Sequence, residues 1–235
     1  MAGAHLQVEA LAVAYGSARV LEQVDLHVEP GTVVGLVGPN GAGKTTTLRA
    51  ISGLVSRQRG TVMLDGARMD AKPQAMARAG VAHVPEGRGL LPSFTVTQNL
   101  RVACVAVGRR FGSADIDYVG SVFPAVTRLL KRRAGSLSGG EQQMVALARG
   151  LVVQPKVLMI DELSLGLAPK IVHDLLEVLS RIVHDEQLSL LLVDQNVRAL
   201  SDVCDRIFVL QDGRTSESSA GEDALRAVYF GGAAG

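Results

Sequence analysis

Apolar positions along the chain follow two rhythms, short continuous runs and longer stretches that recur every three or four residues. Residues 6–13 and 24–28 predict strands, the second closed by the turn Glu29-Pro30-Gly31. Residues 32–37 form a β-branched run ending at Gly38, which predicts a buried strand, and a helix should follow from Lys44 to about Leu54. Residues 60–64, closed by Asp65-Gly66, predict an edge strand or hairpin arm, and 81–84 a further core strand. The stretch from Pro85 to Arg133 is punctuated by Pro92, Gly108, Gly112 and Pro124, with helical periods over 96–107 and 115–130. It predicts a helical subdomain, bounded at 87–133, inserted into a core made of 1–86 and 134–235.

After Gly139-Gly140 the apolar positions Met144, Leu147, Ala148 and Leu151 keep a helical period until Pro155. Residues 157–160 form a continuous apolar strand ending in Asp161-Glu162. Pro169 then sits where a helix starts, with Ile171, Leu175, Val178, Leu179 and Ile182 expected on one face. Residues 190–193 predict another buried strand, and 207–210 with the Asp212-Gly213 turn a last hairpin. Strands alternating with helices predict a doubly wound α/β fold.

Composition narrows this reading. Of 235 residues 47% are apolar, yet there is no Trp and aromatics make up 3%, so Ala, Val, Leu and Ile must build the core. Such a core suits a parallel sheet flanked by helices. The net charge of +1 points to neither a nucleic-acid partner nor an acidic tail, and Lys131-Arg132-Arg133 and Arg109-Arg110 read as solvated surface. Cys104 and Cys204 lack ligand-like spacing, as do the five histidines, so neither predicts a metal site. No apolar run approaches the ~20 residues of a membrane span, and the N-terminus has no secretory pattern. The expectation is a soluble, cytoplasmic protein that reaches a membrane only through a partner.

Three stretches carry chemistry. Gly38-Pro39-Asn40-Gly41-Ala42-Gly43-Lys44-Thr45 fits G-x-x-x-x-G-K-[ST] between a predicted strand and a predicted helix. The glycines let backbone N–H groups converge on phosphate, Lys44 adds positive charge, and the Thr45 hydroxyl can ligate Mg²⁺, with Thr46 next to it. At the end of the 157–160 strand, Asp161 is placed to hold Mg²⁺ and Glu162 to orient an attacking water. Leu137-Ser138-Gly139-Gly140-Glu141-Gln142 opens a second helix some ninety residues after Lys44, and a helix N-terminus favours anions. Two cradles that far apart need not face one phosphate within a single chain, and could do so across a dimer.

The P-loop, LSGGEQQ and LMIDE together resemble the ATP-binding cassette family over essentially the whole chain. The resemblance implies a P-loop ATPase core with an N-terminal antiparallel β subdomain, ATP and Mg²⁺ as cofactors, and ATP sandwiched across a dimer. It implies that Tyr15 stacks on adenine, that Ser138, Gly139 and Gly140 meet the partner's γ-phosphate, and that Ser164-Leu165-Gly166-Leu167 runs along the interface. VPEGRGLLPSFTVTQNL, FPAVTRLLKRRAGSLSGGEQQM, SLGLAP, LLVDQN and the terminal AVYFGG resemble the shorter ATPase of branched-chain amino acid importers, with urea and short-amide importers close in pattern. Partners so implied are a second ATPase subunit, permease subunits and, indirectly, a solute-binding protein, with Leu90, Leu91 and Phe94 as candidate permease contacts.

Three positions depart from the commoner cassette pattern. Glu86 stands where most members have a Mg²⁺-touching glutamine, and Gln195 where most have a histidine at the γ-phosphate. Gln195 can donate a hydrogen bond but carry no charge. Leu163 replaces the usual proline after Asp-Glu, which predicts a looser interface loop and slower turnover. A soluble cassette acting on DNA or ribosomes, and a binding-only subunit, are the alternatives. The first lacks the long coiled coils or second cassette of its kind, and Glu162 speaks against the second.

Overall fold

In the computed structural model, which describes residues 3–218, the short apolar runs form a ten-stranded sheet and the periodic stretches form helices around it. β1 (Leu6–Tyr15) and β2 (Ala18–Val28) make an antiparallel pair. β3 (Val33–Val37) leads into α1 (Lys44–Ile51). β4 (Arg59–Leu64) returns to pair with β1 and turns through Asp65-Gly66 into β5 (Ala67–Arg68). α2 (Pro73–Ala79), for which no apolar period gave warning, precedes β6 (Val81–Val84). Then come α3 (Val96–Ala106), α4 (Ser113–Val122), α5 (Pro124–Thr127) and α6 (Gly139–Leu151). β7 (Val157–Asp161), α7 (Pro169–Glu186), β8 (Ser189–Val193), α8 (Val197–Ser201) and the hairpin β9 (Arg206–Gln211) to β10 (Arg214–Ser218) complete the described chain.

The strand order is β5-β4-β1-β2-β10-β9-β3-β8-β7-β6. From β9 to β6 all pairings are parallel, whereas β1, β2, β4 and β5 pair antiparallel. β10 joins the two halves: it is antiparallel to β9 and meets β2 through Arg214 and Gln23. β3, β7 and β8 are buried at every position and mostly apolar because both faces are covered. Val157 and Met159 of β7 face a core shared with Leu48, Ala50 and Ile51 of α1, while Leu158 and Ile160 face a core shared with α3, α6 and α7. Strand alternation therefore sends Asp161, in step with Val157 and Met159, to the α1 side.

Local chemistry shifts several boundaries. The expected helix over 115–130 breaks at Phe123, because Pro124 has no N–H to continue the ladder and instead starts α5. α1 stops at Ile51, and Gly53 then takes φ +74 against the backbone of Lys72. In α7 the buried stripe is Val172, Leu175, Leu176, Leu179, Ile182 and Val183; Ile171 lies outside it, exposed. The terminal AVYFGG lies outside the described residues.

One core residue has a measurable consequence. Ser52 Oγ donates to the Leu48 carbonyl at 2.6 Å, so the proton in its 3.0 Å contact with His83 must sit on His83 Nδ1. His83 Nε2 is enclosed with no hydrogen-bond partner among the described residues. Burial, reinforced by Arg49, lowers the His83 pKa to about 4. The unfolded chain then binds the extra proton first, so stability falls as pH drops from the ordinary histidine value towards 4. Between pH 7 and 5 this residue should remove about 2 kcal/mol. Urea unfolding at both pH values should show that difference in the native chain and lose it in His83→Asn.

Candidate functional site

The P-loop hangs between the end of β3 and the start of α1. Its shape depends on close approaches that exclude side chains. A Cβ on Gly38 would lie 2.2 Å from the Leu210 carbonyl oxygen, and one on Gly43, at φ +106, would lie 2.6 Å from Leu21 Cδ2. Lys44 is 5% exposed, and its ammonium donates to the carbonyls of Gly38 at 2.8 Å and Pro39 at 3.0 Å. Burial lowers its pKa, and Glu162, Asp161 and Asp194 pull it back up. One buried cation thus faces three carboxylates delivered by the ends of β7 and β8.

Asp161 is 2% exposed, and neither carboxylate oxygen has a hydrogen-bond partner among the described residues. Burial raises its pKa; the Thr45 hydroxyl opposes the rise, Glu162 and Glu86 add to it, and Arg49 opposes it. An orphaned, oxygen-only donor set beside a hydroxyl fits a hard cation such as Mg²⁺. No group of three His, Cys, Asp or Glu residues that could hold a metal alone occurs among the described residues. Glu86 follows β6, exposed, and near enough for its charge to be felt at Asp161.

Glu162 takes φ +49, and its N–H donates to the Val193 carbonyl at 2.7 Å, turning its side chain out of the strand line. Gln195 Nε2 donates to Glu162 Oε1 at 2.8 Å. The two residues are therefore in direct contact. Leu163 is 2% exposed in the core beside α7, and Ser164 is gripped by Asp194 through its N–H at 2.9 Å and its hydroxyl at 2.7 Å. Leucine anchors the loop by burial where proline would have done so by fixing φ. Leu165 is 52% exposed at the tip, Gly166 takes φ +69 and Leu167 turns back to the core.

Leu137, Ser138, Gly139, Gly140, Glu141 and Gln142 form a separate centre. Ser138 caps α6 and shares a reciprocal capping box with Glu141, at 3.3 and 2.7 Å. α6 packs in the core on the sheet face opposite α1, so the two cradles are rooted on opposite sides. Tyr15 is 47% exposed at the tip of the β1–β2 hairpin. The groove of about 440 Å³ beside the P-loop is lined instead by Arg19, Val20, Glu22, Pro39, Asn40, Gly41, Ala42, Asp212 and Gly213. Sequence reading missed Asp194, which, buried next to Gln195, could have been suspected as an acid closing an apolar strand.

A family model described as ABC transporter matches residues 21–164. The chain belongs to the ABC transporter family. The high-affinity branched-chain amino acid transport ATP-binding protein BraG of Pseudomonas aeruginosa is 34% identical, over 97% of this chain and 100% of its own length. The probable branched-chain amino acid transport ATP-binding protein LivF of Archaeoglobus fulgidus is 33% identical over 96% of both chains. The lipopolysaccharide export system ATP-binding protein LptB of Escherichia coli is 32% identical over 97% and 98%. A solved ATP binding subunit of an ABC transporter superposes with a TM-score of 0.80 at 30% identity, covering 94% of this chain and 91% of that one. This ABC chain is accordingly an ATP-hydrolysing transporter subunit with the α/β P-loop fold, and no described helix is long and apolar enough to cross a membrane.

Two outcomes follow from the ABC site's geometry. Asp161→Asn, which removes a buried carboxylate crowded by Glu162 and Glu86, should stabilise the nucleotide-free protein by about 1 kcal/mol, or some 2–4 °C, and abolish the magnesium-dependent part of its stabilisation by ATP. Thermal unfolding with and without Mg·ATP measures both. Leu163→Pro empties a core position and should cost about 2 kcal/mol in urea unfolding without raising the single-turnover rate.

Proposed function

We propose that this chain energises an importer of branched-chain or other hydrophobic amino acids, working as one half of an ATP-dependent ATPase pair. The observation that carries the catalytic part is the Gln195–Glu162 contact beside buried Asp161 and Lys44. Glu162 accepts a hydrogen bond from Gln195 and keeps a second oxygen to orient and deprotonate water. Lys44, preorganised by two carbonyls, neutralises charge on the phosphoryl oxygens as the bond to the leaving group breaks. Asp161, Thr45 and Glu86 would hold Mg²⁺, which supplies Lewis-acid charge neutralisation between the phosphates. Gly38 to Thr46 would bind ATP, with Tyr15 at the adenine.

The rooting of the two cradles on opposite faces of the sheet supports completion of each site by a partner. Ser138, Gly139 and Gly140 of one subunit would cover the terminal phosphate on the other, and residues 164–167 would lie along the seam. Leu91 and Phe94 are each 39% exposed just beyond Glu86, a surface suited to a permease. In this reading the chain sits on the cytoplasmic face of the membrane through that permease, and a solute-binding protein delivers the solute on the far side.

For the substrate, the support is full-length similarity to BraG and LivF together with VPEGR and SLGLAP; similarity to LptB favours lipopolysaccharide export as the second reading. Cells lacking the chain should lose most leucine uptake and keep normal urea uptake. Intact leucine uptake with an envelope defect would support the export reading. In purified protein, Glu162→Gln should cut ATP turnover at least a hundredfold while ATP binding persists. Equal rates would make this a binding-only subunit.

A further inference from the structure

Glu86 is followed by three residues in the left-handed region: Gly87 at φ +72, Arg88 at +70 and Gly89 at +58. For arginine that conformation is strained, and the surrounding contacts hold it. Arg149 of α6 donates from Nη1 to the Gly89 carbonyl and from Nη2 to the Arg88 carbonyl at 3.4 Å. The Arg88 side chain reaches the signature helix, where Nη1 donates to Gln142 Oε1 at 2.7 Å and Nε to Gln143 Oε1 at 3.3 Å. Gln142 spends its amide hydrogens on the Ala134 and Leu137 carbonyls, so its oxygen is left facing a donor.

This fixes two of the three guanidinium nitrogens and leaves the third. Nη2 makes no hydrogen bond among the described residues, and a Cβ on Gly139 would lie only 3.3 Å from it. Arg88 forms no ion pair among those residues either. An unpaired cation is thus braced against the first glycine of the signature cradle. The P-loop site, by contrast, gathers Asp161, Glu162 and Asp194 about Lys44, with Glu86 and Arg49 felt at Asp161 and a neutral Gln195 on Glu162. In the reading above, Lys44 and Mg²⁺ are the cations a terminal phosphate would meet there, and a guanidinium from the partner would add to them.

We propose that Arg88 is a phosphate-binding residue acting in trans, its free Nη2 extending the Ser138–Gly140 cradle onto the terminal phosphate of the ATP held by the partner's P-loop. This rests on the dimer reading above. The guanidinium transfers no proton; it neutralises charge on the phosphoryl oxygens while the water oxygen–phosphorus bond forms and the bond to ADP breaks. Arg149, Gln142 and Gln143 are positioning residues that keep it aimed.

The test is turnover by mixed full-length subunits. Arg88→Ala should slow ATP turnover at least tenfold while leaving monomer ATP affinity unchanged, and Arg88→Lys should recover part of the rate. Gln142→Ala with Gln143→Ala, which keeps the cation and loosens its aim, should lose less. Mixing Arg88→Ala with Lys44→Ala should restore activity, since one site then has an intact P-loop facing an intact Arg88. Ser138→Phe mixed with Lys44→Ala is the control for the pair itself. Recovery in the control but not with Arg88→Ala, or native turnover in Arg88→Ala alone, would overturn the trans cation and leave the dimer standing. Failure of both mixtures would remove the dimer reading and this proposal with it. Should Arg88→Ala not fold, Arg88→Gln, which can still bond the two glutamines, takes its place under the same outcomes.

Discussion

A single buried ammonium organises the catalytic half of this molecule. Lys44 is almost wholly enclosed, a costly place for a charge, and it is tolerated there because two loop carbonyls accept its hydrogens and three carboxylates surround it. Each of those conditions makes a demand on the fold. The carbonyls can turn inward only if Gly38 and Gly43 approach neighbouring chain more closely than a Cβ permits. The carboxylates can converge only if β7 and β8 end at the same edge as β3, which parallel pairing in register supplies. The parallel half of the sheet thus delivers one cation and its acids to one place.

The same charge distribution explains why the loops beyond the strands are tied so closely. Asp194 accepts from Ser164 and from the Asn196 N–H, and the next residue, Gln195, donates to Glu162. The loop after β7 and the loop after β8 are therefore stitched together twice, once through Asp194 and once through Glu162. Residues 164–167 are thus linked to Glu162 through hydrogen bonds shorter than 3 Å as well as along the chain.

Much of this was legible in the sequence because the signals were local. Continuous apolar runs identify strands covered on both faces, and G-x-x-x-x-G-K-[ST] specifies a loop whose backbone does the binding, so Gly38–Thr45 and Asp161-Glu162 stood out before any coordinates. What escaped was tertiary. The α7 stripe is set by which helix face meets the sheet, so Ile171 fell outside although its apolar character matched the period. The break at Phe123 was signalled by Pro124, yet apolar positions on both sides mimicked one helix. At Leu163 the missing proline can be read from the sequence, whereas the burial of the leucine cannot. Arg88 and Arg149 lie sixty-one residues apart and acquire meaning only when a left-handed turn is laid against α6.

That turn brings the two halves of the site into one problem. Glu86 belongs electrostatically to Asp161, and two residues later Arg88 belongs to the signature helix. Only Gly87 separates Glu86 from Arg88, and Arg149 holds the carbonyls of Arg88 and Gly89. In the proposed function, a permease docked on the exposed Leu91 and Phe94 would sit only a few residues from both Glu86 and Arg88. Gly87 and Gly89 give the backbone the freedom to yield, and Arg88, the one residue between them that carries a side chain, sets where it stops.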